Sequence, residues 1–156
     1  MRTALVPGSF DPMTLGHRRI VERALKTFDR VIVAVMINKD KQYMFSMDER
    51  LEIARRTVKG LDNVFVIADT GFTADIAAAL GATALVKGIR DEKDFEYELD
   101  GELFNRRKRP EIETVYLRAE DDYAGISSTY ARSLIMGDSS LANVLAPEAI
   151  AYIREL

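Results

Sequence analysis

The chain has no cysteine and only one histidine in its 156 residues. The first absence removes disulfides, thiolate nucleophiles and Cys-based metal centres, and the second removes any multi-histidine zinc or iron site. Long apolar runs are also missing, since none approaches the roughly 18 residues of a membrane span. The amino terminus enters an apolar stretch at once, without a basic-then-apolar leader. A soluble, cytoplasmic protein without a membrane partner is the expectation. Neither G-x-x-x-x-G-K-[ST] nor G-x-G-x-x-G occurs, which excludes a P-loop and the common dinucleotide fingerprint. No G-x-S-x-G turn occurs either, so serine-triad hydrolysis lacks its nucleophile elbow.

Charge of one sign is not in excess. A net charge of −3 argues against a nucleic-acid partner held by bulk electrostatics. The one dense basic run, Arg106-Arg107-Lys108-Arg109, lies at a predicted helix end just before Pro110. Cations there complement the helix dipole, and the run reads as a solvated or subunit-facing helix end. With 47% hydrophobic and 30% charged residues, the chain is long enough and apolar enough to build one core. A single domain over residues 1–156 is expected.

Apolar runs alternate with segments of helical period. Ala4–Val6 reads as a first buried strand, followed by a helix bearing Ile20, Val21, Ala24, Leu25 and Phe28 on one face. Val31–Ile37 is an unbroken apolar run, the mark of a strand covered on both faces. Ser46 and Glu49 have capping-box spacing and open a helix with an inner stripe of Met47, Leu51, Ala54 and Val58, stopping near Gly60. Val64–Ala68 is the third strand, and a short helix with Ile76, Ala79 and Leu80 ends at Gly81. Ala84–Val86 is the fourth strand, Asp91 to about Arg109 a long helix, and Thr114–Leu117 the fifth strand. Ser128–Met136 and Pro147–Glu155 read as helices. This alternation predicts an α/β fold: a five-stranded parallel sheet, Rossmann-like and doubly wound, with helices on both faces.

Ligands of such sheets bind beyond the carboxyl ends of the strands, where strand order reverses. Ser9 follows the first strand, Asn38–Lys41 the second, Thr70–Thr73 the third, Lys87 and Arg90 the fourth, and Tyr123–Thr129 the fifth. The segment Pro7–His17, PGSFDPMTLGH, turns from strand to helix, and a helix N-terminus suits phosphate. A lone histidine is usually a surface residue, but His17 sits in that first helical turn. There it can donate a hydrogen bond to a phosphate oxygen and stabilise transition-state charge. Lys41, taken alone, reads first as a solvated loop lysine. Lys87 and Arg90 flank Gly88, where a ligand can approach the backbone, and both suit phosphate. Gly125-Ile126-Ser127-Ser128-Thr129 reads first as a helix N-cap with extra hydroxyls. Asp94, Glu96 and Glu98 lie on the long helix, and periodicity singles out none of them.

The PGSFDPMTLGH segment, with Thr14-Leu15-Gly16-His17 as its [HT]-x-G-H motif, resembles the first signature of a nucleotidyltransferase superfamily. With MF-x-x-x-ER at Met44–Arg50, VKGIR at Val86–Arg90, DFEYE at Asp94–Glu98, Asn105 and GISST at Gly125–Thr129, the whole chain resembles the bacterial phosphopantetheine adenylyltransferases. The resemblance implies transfer of AMP from ATP to 4′-phosphopantetheine, giving dephospho-coenzyme A and pyrophosphate with Mg2+. It implies that Ser9 and Phe10 contact ATP, with Ser9 also touching the acceptor, and that His17 stabilises the pentavalent α-phosphate. Lys41 would hold acceptor and nucleotide phosphates, Thr73 would line the acceptor site, and Lys87 would take the acceptor phosphate. Gly88, Ile89, Arg90 and Glu98, with Tyr123, Ala124, Gly125, Ile126, Ser127, Ser128 and Thr129, would enclose the nucleotide. His17, Lys41 and Arg90 are thereby the candidate catalytic residues, and no protein metal ligand is implied. A homohexamer and coenzyme A as a feedback inhibitor are further implications. Departures are Lys87 where arginine is common, the polar Asp100-Gly101-Glu102, and Arg132-Ser133 in place of a Lys-Glu pair. Two alternatives stay open: a sister enzyme with another phosphate acceptor, and a non-catalytic nucleotide-binding protein.

Overall fold

In the computed structural model, which describes residues 1–156, strands and helices alternate as β1 (Thr3–Gly8), α1 (Leu15–Ala24), β2 (Arg30–Met36), α2 (Met47–Thr57), β3 (Val64–Asp69), α3 (Thr73–Ala79), β4 (Ala84–Ile89), α4 (Glu92–Lys108) and β5 (Glu113–Arg118). Two helices, α5 (Ser128–Met136) and α6 (Pro147–Arg154), complete the chain. The sheet order is β3-β2-β1-β4-β5, and every pair is parallel. The chain steps outward from β1 to β3, returns beside β1, and steps outward again on the other side. Strand order therefore reverses between β1 and β4, and the expected five-stranded parallel sheet is found.

The unbroken apolar run of β2 has a physical reason. Val31, Val33 and Val35 pack with Ile20, Val21 and Ala24 of α1 and with Ala54 of α2. Ile32 and Ala34 face the opposite side, against Ile76 and Ala77 of α3. With both faces covered, no polar alternation survives. Each buried Val or Ile in these layers contributes about 1.5–3 kcal/mol. The Ser46–Glu49 capping box forms as spaced, with Glu49 N–H donating to Ser46 Oγ at 3.1 Å and Ser46 N–H to Glu49 Oε1 at 2.8 Å. The predicted stripe of α2 meets the sheet. A second stripe, through Ile53, packs on Ala149 of α6. Between the two stripes lies Arg50, only 1% exposed, which the pattern did not foresee.

Two expectations are corrected, and Gly88 and the basic run gain packing roles. β4 continues three residues past Val86, because β5 pairs with it to the end (Lys87↔Tyr116, Gly88↔Leu117, Ile89↔Arg118). Lys87 therefore lies within a strand rather than after one. Helix α1 stops at Ala24, and Phe28 reaches the core from the turn beyond. Gly88 is a packing glycine: a Cβ there would lie 2.8 Å from Ile20 Cγ1, so the missing side chain admits α1 as much as any ligand. The basic run at the end of α4 has acidic partners within the chain. Lys108 and Arg109 reach Asp75 of α3 at 3.3 and 2.9 Å, and Arg106 reaches Glu102 at 3.5 Å. No helix is long and apolar enough to cross a membrane.

Candidate active site

The carboxyl edge of the sheet opens into a cavity of about 830 Å³ at the switch point. It gathers Ser9, Phe10, His17, Lys41, Thr73, Lys87, Gly88, Glu98, Ser128 and Thr129 from segments spread over most of the chain. Ile89, Arg90 and Tyr123–Ser127 lie outside its lining.

His17 is held on two sides. Thr14 caps α1, with His17 N–H donating to Thr14 Oγ1 at 3.3 Å, and Thr14 N–H donates back to His17 Nδ1 at 2.9 Å. An N–H donated to Nδ1 requires that nitrogen to be bare, so the neutral ring carries its proton on Nε2. On the other side the Phe10 ring stands edge-on to the imidazole, 5.0 Å between centroids. Phe10 adopts φ 47° and folds back over Gly8, where a Cβ would meet its ring at 2.9 Å. Only glycine fits there, and the left-handed Phe10 costs about 1 kcal/mol or more. With the residue only 4% exposed, Phe10 has chiefly its backbone left for a ligand. Burial, and then the Arg90 charge, lower the His17 pKa to about 4. The ring is thus a neutral Nε2–H donor at physiological pH and cannot act as a base through that nitrogen. The helix end itself has fewer free donors than its sequence promised, because Leu15 N–H is taken by Val144 O at 2.9 Å.

Two of the cations are oriented by carboxylates. Arg90 forks onto Asp94, Nε to Oδ2 at 2.9 Å and Nη2 to Oδ1 at 3.2 Å. Lys87 Nζ lies 2.6 Å from Glu98 Oε2. The Lys87 pair is partly buried and the Arg90 pair exposed, and the acids of α4 that periodicity could not rank are now distinct. Asp94 holds Arg90, Glu98 holds Lys87, and Glu96 is exposed. Glu98 was expected beside the nucleotide and in this structure sits against the lysine assigned to the acceptor. Lys41 projects from an exposed loop.

The GISST segment does both structural and site work. Ser127 Oγ caps α5 by accepting from Tyr130 N–H at 3.0 Å, and Ser128 Oγ donates to Pro12 O at 2.8 Å. Residues 123–126 turn back beside α1, where a Cβ on Gly16 would come within 3.5 Å of Ile126 O. Arg19 clasps Glu120 through Nε at 2.6 Å and Nη2 at 3.2 Å, fixing this loop to α1 and holding the carboxyl below the usual range.

Several residues were missed as site builders. Asp11, 4% exposed, accepts from Met44 N–H at 2.9 Å and Phe45 N–H at 3.0 Å, while Arg132 Nη1 donates to Asp11 O at 2.8 Å. Arg132 also donates to Thr129 and lines the cavity. Phe72 and Phe104, ring centroids 5.6 Å apart, form an apolar wall beside Thr73. Asp11 lay within the PGSFDPMTLGH signature and Arg50 closed the MF-x-x-x-ER motif, but neither motif indicated what these two side chains do.

A neutral imidazole donor, three cations and an apolar wall at the switch point of a doubly wound sheet define a nucleotide-handling α/β protein. Residues 5–134 match the cytidylyltransferase-like family. A phosphopantetheine adenylyltransferase of Heliobacterium modesticaldum is 42% identical over 155 residues, spanning 99% of this chain and 92% of that protein. One of Symbiobacterium thermophilum is 41% identical, spanning 99% and 96%, and one of Desulforamulus reducens is 42% identical, spanning 97% and 93%. The chain belongs to the cytidylyltransferase-like family and, within it, to the phosphopantetheine adenylyltransferases.

Proposed function

We propose that the chain transfers AMP from ATP to the phosphate of 4′-phosphopantetheine, forming dephospho-coenzyme A and releasing pyrophosphate. The observation that carries this reading is the locked His17 tautomer facing a cavity lined with cations, in a chain similar throughout to phosphopantetheine adenylyltransferases. A phosphate oxygen of the acceptor attacks the α-phosphorus of ATP, forming one P–O bond as the bond to the β-phosphate oxygen breaks. The attacking phosphate is already ionised at neutral pH, so no base is required, in keeping with a histidine whose Nε2 carries the proton. His17 Nε2–H donates to a non-bridging α-phosphate oxygen as charge grows there. Lys41 and Arg90 balance charge on the nucleotide phosphates, Lys87 takes the acceptor phosphate, and the cavity supplies orientation. Ser9, Ser128 and Thr129 offer hydroxyls, Gly88 and Ile89 their backbone, and Tyr123–Ser127 the rim of the nucleotide end. The Phe72–Phe104 wall beside Thr73 suits the pantetheine arm.

When bound, Mg2+ would be held by the ATP phosphates and would neutralise charge on the leaving pyrophosphate. That fits the donor set: no group of three metal-ligating side chains exists, and magnesium ordinarily binds through substrate phosphates and water. Coenzyme A carries the acceptor's own arm and would compete for the same cavity. ATP as substrate supports a cytoplasmic location. Helix α4 leaves Phe95, Tyr97, Leu99, Leu103 and Phe104 exposed, an apolar surface that supports assembly into a homohexamer.

The test is pyrophosphate release from ATP and Mg2+ with 4′-phosphopantetheine, nicotinamide mononucleotide or glycerol 3-phosphate as acceptor. Release with 4′-phosphopantetheine alone, giving a product one AMP heavier, is the expected outcome. Release only with another acceptor would keep the chemistry and replace the substrate. Silence with all three, despite ATP binding, would make the chain a non-catalytic nucleotide binder.

A further inference from the structure

Arg50 is the largest fully buried side chain in the protein and takes part in none of its ion pairs. Buried charges are ordinarily paired, because an unpaired one forfeits its hydration for nothing. Its contacts show what it does instead. Nη1 donates to two carbonyls at once, Ser9 O at 2.7 Å and Met36 O at 2.9 Å. These carbonyls lie just where β1 and β2 stop pairing, since Gly8↔Val35 is the last register pair. The guanidinium also lies under the Tyr43 ring, 3.9 Å from its centroid. The Tyr43 hydroxyl accepts from Asn38 N–H at 2.6 Å and donates to Asn38 O at 3.3 Å, closing the loop that carries Lys41. Nε is buried without a partner. One side chain thus joins the backs of two phosphate-facing segments while staying out of the cavity.

We propose that Arg50 is a positioning residue, clamping the Ser9 turn and the Lys41 loop at fixed separation behind the phosphate end of the cavity. It rests on the adenylyl-transfer reading above. Lysine cannot replace it, because a point ammonium lacks both the planar fork and the stacking face. Its charge, in no ion pair, is met by the two carbonyl oxygens and the face of the Tyr43 ring.

The test compares Arg50→Lys, Arg50→Gln and Tyr43→Phe with the wild type. Three quantities are read: kcat and KM for ATP and 4′-phosphopantetheine, calorimetric affinity for pyrophosphate, and melting temperature. Tyr43→Phe keeps the stacked ring and removes only the hydroxyl bonded to Asn38, at a residue that itself lines the cavity, so it should melt as the wild type does. Its acceptor KM should rise about tenfold, the scale of a lost hydrogen bond to a positioned group. Both Arg50 variants should lose about tenfold or more in pyrophosphate affinity, with lysine failing to rescue despite its charge. Arg50 variants that melt lower yet keep wild-type KM and pyrophosphate affinity would make the residue merely structural and overturn the proposal. Should those variants not fold, an unchanged Tyr43→Phe enzyme overturns it equally. Pyrophosphate affinity is independent of the acceptor, so a chain inactive with 4′-phosphopantetheine would sink the substrate assignment while still deciding the role of Arg50.

Discussion

Replacing Arg90 by glutamine should raise the pKa of the only histidine without restoring it to an ordinary value. In the folded protein His17 titrates at about 4 rather than 6.5, with burial the larger cause and Arg90 the smaller. A fall from 6.5 to about 4 corresponds to about 3 kcal/mol against protonation. At pH 5.5 a ring with a pKa of about 4 is about 97% neutral, whereas an ordinary histidine would be only about 9% neutral. Having one histidine makes the assay clean: the imidazole NMR spectrum of 15N-labelled protein contains a single residue's signals. They should report the Nε2–H tautomer and a midpoint near 4, and Arg90→Gln should bring the midpoint up while leaving it below 6.5. The sign for stability follows from proton counting. Between pH 6.5 and 4 the unfolded chain binds a proton that the folded chain refuses, so stability is lost as pH falls through that window, by up to about 3 kcal/mol. His17→Asn should flatten that part of the stability curve. A wild-type midpoint near 6.5, or a proton on Nδ1, would refute both the buried-donor geometry and the exclusion of a base role.

Two further outcomes are expected. Gly88→Ala should destabilise the fold by about 1–3 kcal/mol, because its Cβ meets Ile20 Cγ1 at 2.8 Å and α1 must shift; thermal melts check this, and Ile20→Val in the same chain should recover part of the loss. Lys87→Ala should raise KM for 4′-phosphopantetheine more than KM for ATP, and equal rises would contradict its assignment to the acceptor phosphate.

Much of the fold was legible because β2 and the helix caps obey local rules: an apolar run covered on both faces, and Ser46 with Glu49 at capping-box spacing. Strand β4 was cut short because Lys87 and Gly88 look like a loop, and only pairing with β5 keeps them extended. The turn at Pro7–His17 announced phosphate chemistry, but not the Thr14 N–H that strips Nδ1 of its proton. That bond depends on backbone direction, which residue types do not encode singly. Glu98 became distinct only when α4 was laid over β4 and one of its several acids met Lys87. Arg50 and Asp11 stood inside recognisable motifs, yet their roles were illegible for a common reason. Each serves backbone groups far along the chain, and a long-range hydrogen bond to a carbonyl or an N–H leaves no periodic trace.

The 2.6 Å contact between Lys87 and Glu98 gives the cavity a resident competitor. Any anion entering there must outbid a carboxylate already in place, so its affinity is a difference between two bonds rather than the strength of one. Small singly charged anions offer Lys87 little more than Glu98 does and gain almost nothing by displacing it. A phosphate ester offers more charge and an arm that can spread along the Phe72–Phe104 wall, and it can win on both counts. Discrimination among anions is therefore built into the Lys87–Glu98 pair itself, before any ligand has touched the wall.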